Sequence, residues 1–399
     1  MTTPHLPDPP ASPGAPNSSA QVSQERNNGP EGDLAQPPTT EQTEKSKRRI
    51  RLRLVLSALF SIALVVLIFW KLLPQFASLS DIWASIQAMT WLELTTLVLA
   101  ALWNLCTYWF VMVATMPGLT YPQAAVVTES STAVANTVPA GGAIGIAMCY
   151  SMYDSWGFSR SRSSVSLLVS GIWNNFAKLG LPILALALLA FSGGPGGGRL
   201  IAGLAGLAGL IGAIVIFSLM LRTDELARRI GSRFGRITSA VIRPFGRPPV
   251  TGWDQATSKF RSRTIRLLRA RWQWITFWTL VSHLSLYFVL LLSLRHIGVS
   301  NSEVSWIEVL VVFSFARLLT AIPFTPGGLG LVEAALIAGI AGYGGSDADV
   351  AAAVLVFRAL TYVLPIPIGV ATYLFWKRNR SWRRAPGTAP RTDLVPESA

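Results

Sequence analysis

Apolar residues in this chain gather in long unbroken runs, not in the spaced rhythm of a half-buried helix or the alternation of a half-buried strand. The clearest runs are 52–73, 91–115, 164–191, 199–221, 272–294 and 350–376. Each reaches or approaches the roughly 20 residues with which an α-helix crosses about 30 Å of hydrocarbon. Two further apolar stretches are interrupted. Residues 121–150 break at Asn136, Pro139, Gly141 and Gly142, and residues 305–343 break at Pro323, Pro326, Gly327, Gly328 and Gly330. The pieces of the first are short for full spans, so it predicts a hairpin that dips in and returns. Two closely spaced spans in place of either hairpin would keep the same parity. The expected fold class is an all-α integral membrane protein with about six full transmembrane helices plus two re-entrant or broken helical hairpins.

Composition supports this: the chain is 51% hydrophobic and 14% charged, against about 25% charged in a soluble fold. A net charge of +14 would suggest nucleic acid in a soluble protein. Here the basic residues cluster beside the apolar runs, where they orient the chain and leave no exposed footprint for nucleic acid. Residues 1–45 carry few large apolar side chains and are expected to be a disordered cytoplasmic tail. The membrane domain is expected over 46–380, with a second disordered cytoplasmic tail over 381–399. The run 52–73 is too long and too far from the start for a cleaved signal peptide and reads as a retained first helix. Cys106 and Cys149 lie in apolar surroundings as small core residues.

The positive-inside bias sets the orientation. Lys45, Lys47, Arg48, Arg49, Arg51 and Arg53 precede the first span and place it with its start in the cytoplasm. Alternating from there, Arg160 and Arg162, the loop 222–271 with thirteen Lys or Arg against three acids, and Lys377 to Arg384 all fall inside. Asp81, Asp347 and Asp349 fall outside. The segment Lys259 to Trp274 resembles an amphipathic helix lying on anionic lipid. The expected location is the plasma membrane, with both termini cytoplasmic.

The two broken stretches match weakly. Asn136-Thr-Val-Pro-Ala-Gly-Gly-Ala-Ile-Gly145 and Thr320-Ala-Ile-Pro-Phe-Thr-Pro-Gly-Gly-Leu-Gly330 each carry a Pro, a Gly pair and another Gly. Each is followed by a span with an embedded cation and a downstream Pro, Lys178 with Pro182 and Arg358 with Pro365. The charge topology makes one hairpin enter from the cytoplasm and the other from outside. The halves, about 50–221 and 199–376, would then form an inverted repeat, the pattern of secondary transporters with a site near the midplane.

Several residues are candidates for that site. Lys178 within its span must face protein or water, either as a contact for an anionic headgroup or in an ion pair, with Glu129 a possible partner. Arg317 and Arg358 can hold a phosphate bidentately; Arg358 is the stronger candidate, whereas Arg317 can also bond carbonyls freed at Pro323. Glu333 is either a helix-start charge or a partner of Arg317 or Arg358. Amides near Gly141, Gly142, Gly327, Gly328 and Gly330 can face an anion where a half-helix opens. Asn136, with Pro139, Pro323 and Pro326, marks the breaks. Asn136, Asn174 and Asn175 line the cavity or bond between helices, and His283 reads as a satisfied core histidine. Gly203, Gly206, Gly209 and Gly212 make a thin helix for close packing.

The segment Arg317-Leu-Leu-Thr-Ala-Ile-Pro-Phe-Thr-Pro-Gly-Gly-Leu-Gly-Leu-Val-Glu333 resembles the signature of the flippase-like family, the transmembrane region of lysylphosphatidylglycerol synthetases. The Asn136, Pro139, Gly141 and Gly142 cluster is similar to that family's first motif. The resemblance covers about residues 50–380. It implies a membrane domain that moves or presents a polar-headed lipid between leaflets, with Arg317, Pro326, Gly327, Gly328 and Glu333 at the family's motif positions. A short polar tail follows the last span, so lysyl transfer by a soluble domain is not implied.

Three function classes follow. The first is a translocator of a phospholipid or polyprenyl-phosphate-linked lipid. The second is a scaffold whose basic loop 222–271 recruits a separate envelope-synthesis enzyme, and deleting that loop would separate it from the first. The third is a membrane lipid transferase, disfavoured because the chain has no H-E-x-x-H. No P-loop is present, no cofactor or metal is expected, and membrane lipids are the expected partners.

Overall fold

The computed structural model describes residues 79–138, 141–192, 253–320 and 326–384, with short helical fragments between 204 and 215. All belong to a single compact unit. The expected spans 52–73 and most of 199–221, Gly203 and Gly206 of the glycine series, most of the loop 222–271 and the turn residues Pro139 and Pro323 lie outside the described residues; Gly209 and Gly212 are helical, and an added β-carbon at either would meet nothing within 4 Å.

Among the described residues, the regular elements are helices. They are α1 (Leu79–Gln87), α2 (Trp91–Thr115), α3 (Tyr121–Thr137), α4 (Gly141–Ser155), α5 (Arg160–Phe191), α6 (Trp253–Ile297), α7 (Trp306–Leu319), α8 (Leu331–Ala341), α9 (Asp347–Arg358) and α10 (Pro365–Arg378). A 3-10 turn at Pro326–Gly328 precedes α8, and a π-turn at Ala359–Val363 joins α9 to α10. Capping boxes start three of the helices. Thr90 with Glu93 opens α2, Thr120 with Gln123 opens α3, and Ser305 with Glu308 opens α7. In each, two N–H groups that the first turn leaves unpaired find side-chain acceptors.

Among the described residues, four helical runs are long and apolar enough to cross a membrane: Trp91–Thr115, Arg160–Phe191, Phe260–Ile297 and Asp347–Arg378. Only 33% to 44% of each run's most apolar window is buried inside the protein. Side chains such as Leu99, Leu184, Phe288 and Leu374 therefore face outward, which hydrocarbon favours and water does not. The arms α3, α4, α7 and α8 have 17, 15, 14 and 11 residues. At about 1.5 Å per residue each is shorter than the hydrocarbon core.

The helix α6 corrects one expectation. Lys259 to Trp274 is not a separate surface helix; it continues into the span as the first part of a 45-residue helix. No Gly or Pro lies between Trp253 and Ile297 to end it. The C-terminal boundary also moves. Residues 381–384 are ordered, with Trp382 against Trp156 and Phe375 and the Arg384 N–H donating to the Ser155 carbonyl at 2.8 Å.

Side-chain contacts establish how the helices run. Glu93 lies beside His296, Asn104 Nδ2 donates to the Ser282 carbonyl at 3.1 Å, and Arg271 reaches the Val113 carbonyl. Helices α2 and α6 are therefore antiparallel. The pair is further fixed by Phe110 stacked on Trp278 at 4.1 Å. Helix α3 packs along α10, and α7 packs along α5. Ser130 and Thr372 hydroxyls meet at 3.0 Å across the first pair. Gly369 makes that approach possible, since a β-carbon there would lie 2.2 Å from the Glu129 carbonyl oxygen.

Arg162 and the C-terminal Arg cluster collect at one end. Arg162 donates to the Pro117 carbonyl, and Arg384 packs against Gly157. The loops 116–120 and 156–159 and the C-terminal Arg cluster are thus neighbours. At the other end, Gly344 faces the Glu303 carbonyl, and Arg295 donates to the Val299 and Val304 carbonyls. The hairpin α3–α4 starts and finishes at the basic end, and α7–α8 starts and finishes at the opposite end. The 3-10 turn of the second packs against α3 of the first.

Candidate functional site

The two breaks in the sequence come together around the π-turn. Asn136, at the end of α3, donates from Nδ2 to the Tyr362 carbonyl at 3.1 Å, and the Tyr362 hydroxyl donates back to the Asn136 carbonyl at 2.5 Å. On its other side the Tyr362 ring closes on Gly327, where an added β-carbon would lie 2.3 Å from the ring. The Arg358 guanidinium stands 4.6 Å from the centre of the same ring. Tyr362 therefore joins the tip of one hairpin to the turn of the other. The sequence reading missed it, although its spacing of four from Arg358 puts both on one helical face.

The Pro-Gly-Gly turn owes its shape to glycine and to one buried ion pair. Gly327, Gly328 and Gly330 have φ of 60°, 72° and 80°, values that a side chain disfavours. Glu333 is 2% exposed; its Oε2 accepts the Gly330 N–H at 2.8 Å and its Oε1 accepts Arg358 Nε at 2.6 Å. A second Arg358 nitrogen reaches the Gly327 carbonyl at 3.4 Å. Of the alternatives for Glu333, helix-start charge and partner of Arg358 both hold at once. Arg358, the stronger sequence candidate for a headgroup contact, directs its Nε inward to Glu333.

Arg317 differs. Its side chain forms no hydrogen bond or ion pair among the described residues, and its Nε is buried without a partner. It lines a cavity of about 440 Å³ bounded by α2, α3, α4, α5, α6 and α7 and by the π-turn. A narrower cleft of about 60 Å³ connects the surroundings of Arg317 to Arg358. The larger cavity also carries Asn104, Tyr108, Thr128, Ser131, Thr132, Ser170 and Thr361, with Gly142 and Gly145 opening its floor. Its size falls within the usual range for a ligand pocket, and its convergent polar groups on an apolar wall have the usual composition.

Glu129 is in the same wall. It is 1% exposed; Oε1 accepts the Trp109 indole N–H at 2.7 Å, and Oε2 has no partner among the described residues. Its expected pairing with Lys178 is absent, because α3 aims the carboxyl at α2 and the cavity. Lys178, half-buried on α5, forms no ion pair among the described residues and feels the charge of Arg317 across the α5–α7 contact. His283 bonds the Thr279 carbonyl through Nδ1 at 2.9 Å and leaves Nε2 buried and unpartnered, so the core histidine is only half satisfied. Asn175 bonds back to its own helix at Gly171 and bonds to no other helix among the described residues.

Gly141 permits the close return of the first hairpin: an added β-carbon would sit 2.3 Å from the Val134 carbonyl oxygen. Gly142 faces open space and the cavity. No group of three or more metal-ligating side chains occurs among the described residues.

No curated protein matches the chain. The family model described as the lysylphosphatidylglycerol synthase TM region matches residues 54–369, which take in every cavity residue named above. That family is a membrane domain associated with lipid handling, and its match agrees with the four apolar helical runs in making the chain a multi-pass membrane protein. With most of its length matched, this chain belongs to the lysylphosphatidylglycerol synthase TM region family.

Proposed function

We propose that the protein is a lipid translocator that moves a phospholipid or polyprenyl-phosphate-linked lipid between leaflets of the plasma membrane without making or breaking a covalent bond. The observation that carries this reading is Arg317, whose Nε is buried without a partner and whose side chain forms no ion pair among the described residues, in an apolar-walled cavity with convergent polar groups. A cation at that depth is costly unless it meets an anion or water, and a lipid phosphate is the anion at hand. Lys178 adds positive potential behind it, and the Glu333–Arg358 pair holds the turn beside it.

Alternating access follows from an inverted repeat, in which α2, α3–α4 and α5 correspond to α6, α7–α8 and α9–α10. Two-fold symmetry requires that if one hairpin packs on the other half's long helix, the reverse contact also exists. The pairs α3 with α10 and α7 with α5 meet that requirement, and antiparallel α2 and α6 form the self-paired element. Both hairpins are then re-entrant, from opposite faces, and the basic end faces the cytoplasm. A separate envelope-synthesis enzyme would supply or use the lipid.

The test is leaflet exchange of headgroup-labelled lipids in liposomes containing the purified protein, with anionic, lysylated and polyprenyl-phosphate species in the panel. Protein-dependent exchange of one class, lost in Arg317→Ala, is the expected result. No exchange by folded protein of any class would overturn the assignment.

A further inference from the structure

The cavity holds a second unanswered group of opposite sign. Glu129 presents Oε2 without a donor, while Oε1 is held by the Trp109 indole N–H. Helix α2 contributes Trp109, Tyr108 and Cys106 around it, and α4 contributes Cys149. From α10 the approaching group is the Gly369 backbone, and that helix's Lys377 and Arg378 lie in its last turn. The turn 326–328 brings no charge, and across the cavity stands Arg317. No cation forms an ion pair with Glu129 among the described residues.

We infer that Glu129 is a proton-binding site coupled to the headgroup: it takes a proton on Oε2 when a lipid phosphate settles on Arg317, and returns it to water when the headgroup leaves. This rests on the translocator reading. The physical reason is that a carboxylate and a phosphate in one water-poor cavity repel strongly, so occupancy by phosphate favours the neutral acid. Linkage makes the effect mutual, and protonation of Glu129 tightens phosphate binding by the same factor. The headgroup then crosses together with one proton, and a pH difference across the membrane drives lipid toward the alkaline side.

The experiment uses liposomes with an imposed difference of one pH unit and the labelled anionic lipid that moves in the panel. One proton per lipid biases exchange up to about tenfold toward the alkaline side. In Glu129→Gln, where the side-chain amide still offers an oxygen to Trp109, the bias disappears whatever the rate without a gradient. Wild-type exchange that ignores the gradient overturns the proton site and leaves the translocator reading standing. This arm needs no variant to fold.

If the wild type moves no lipid, the translocator reading falls, and calorimetry of short-chain phosphatidylglycerol binding in two buffers of different ionisation heat decides the proton site separately. Uptake near one proton per lipid, lost in Glu129→Gln, supports it. Binding without proton uptake, or no binding, overturns it.

Discussion

Arg317 and Arg358 stand on neighbouring walls of one cleft, yet their charges have different fates. Arg358 is buried with its Nε on Glu333, and removing one member of such a pair strands the other. Arg358→Ala should therefore lower stability by about 3–5 kcal/mol, measured by thermal unfolding in detergent. Replacing both Arg358 and Glu333 with apolar residues of similar volume should recover most of that loss. Arg317→Ala removes a side chain that has no polar partner among the described residues, so its unfolding temperature should not fall. Its lipid exchange should drop roughly 10- to 100-fold, the range for a hydrogen bond to a charged group of about 1.5–3 kcal/mol. The sequence announced both arginines as expensive in a membrane. Which one is answered depends on Glu333 three positions into α8, a contact that spans 25 residues of chain.

Among the elements, the breaks were legible and their use was not. Pro and Gly predicted where helices stop, and the φ values at Gly327, Gly328 and Gly330 explain why those residues are needed. The π-turn at Ala359–Val363 was invisible in an apolar run that otherwise reads as a continuous span. That turn sets Tyr362 between both hairpins, so Gly327→Ala meets both a positive φ and the Tyr362 ring. We expect it to destabilise the fold by more than about 1 kcal/mol, read as a fall in unfolding temperature. Tyr362→Phe deletes only the hydroxyl bonded to Asn136. It should cost about 0.5–1.5 kcal/mol by the same measurement, with the turn geometry kept. The amphipathic reading of Lys259 to Trp274 failed because a helix without a breaker continues through a change of solvent.

For the molecule as a whole, the packing of one half on the other is the feature most open to direct test. Ser130 and Thr372 are 242 residues apart in sequence and their hydroxyls touch. With Cys106 and Cys149 replaced, the double variant Ser130→Cys and Thr372→Cys should form an internal disulfide on oxidation, seen as a shift in mobility that reductant reverses. A pair of the same kind placed between α3 and α6 should not. Failure of the Ser130–Thr372 bridge in folded protein would contradict the α3–α10 contact. By itself the sequence determined that the chain lives in a membrane, where its apolar runs lie, and which end is basic, because hydropathy and charge act on each segment independently of the rest. Only the tertiary structure decided that Arg358 is paired, that Arg317 and Glu129 share a cavity unpaired with each other, and that the two Gly-rich breaks meet at Tyr362. Those outcomes depend on which long-range neighbours desolvate and orient a given side chain, and no local pattern carries that information.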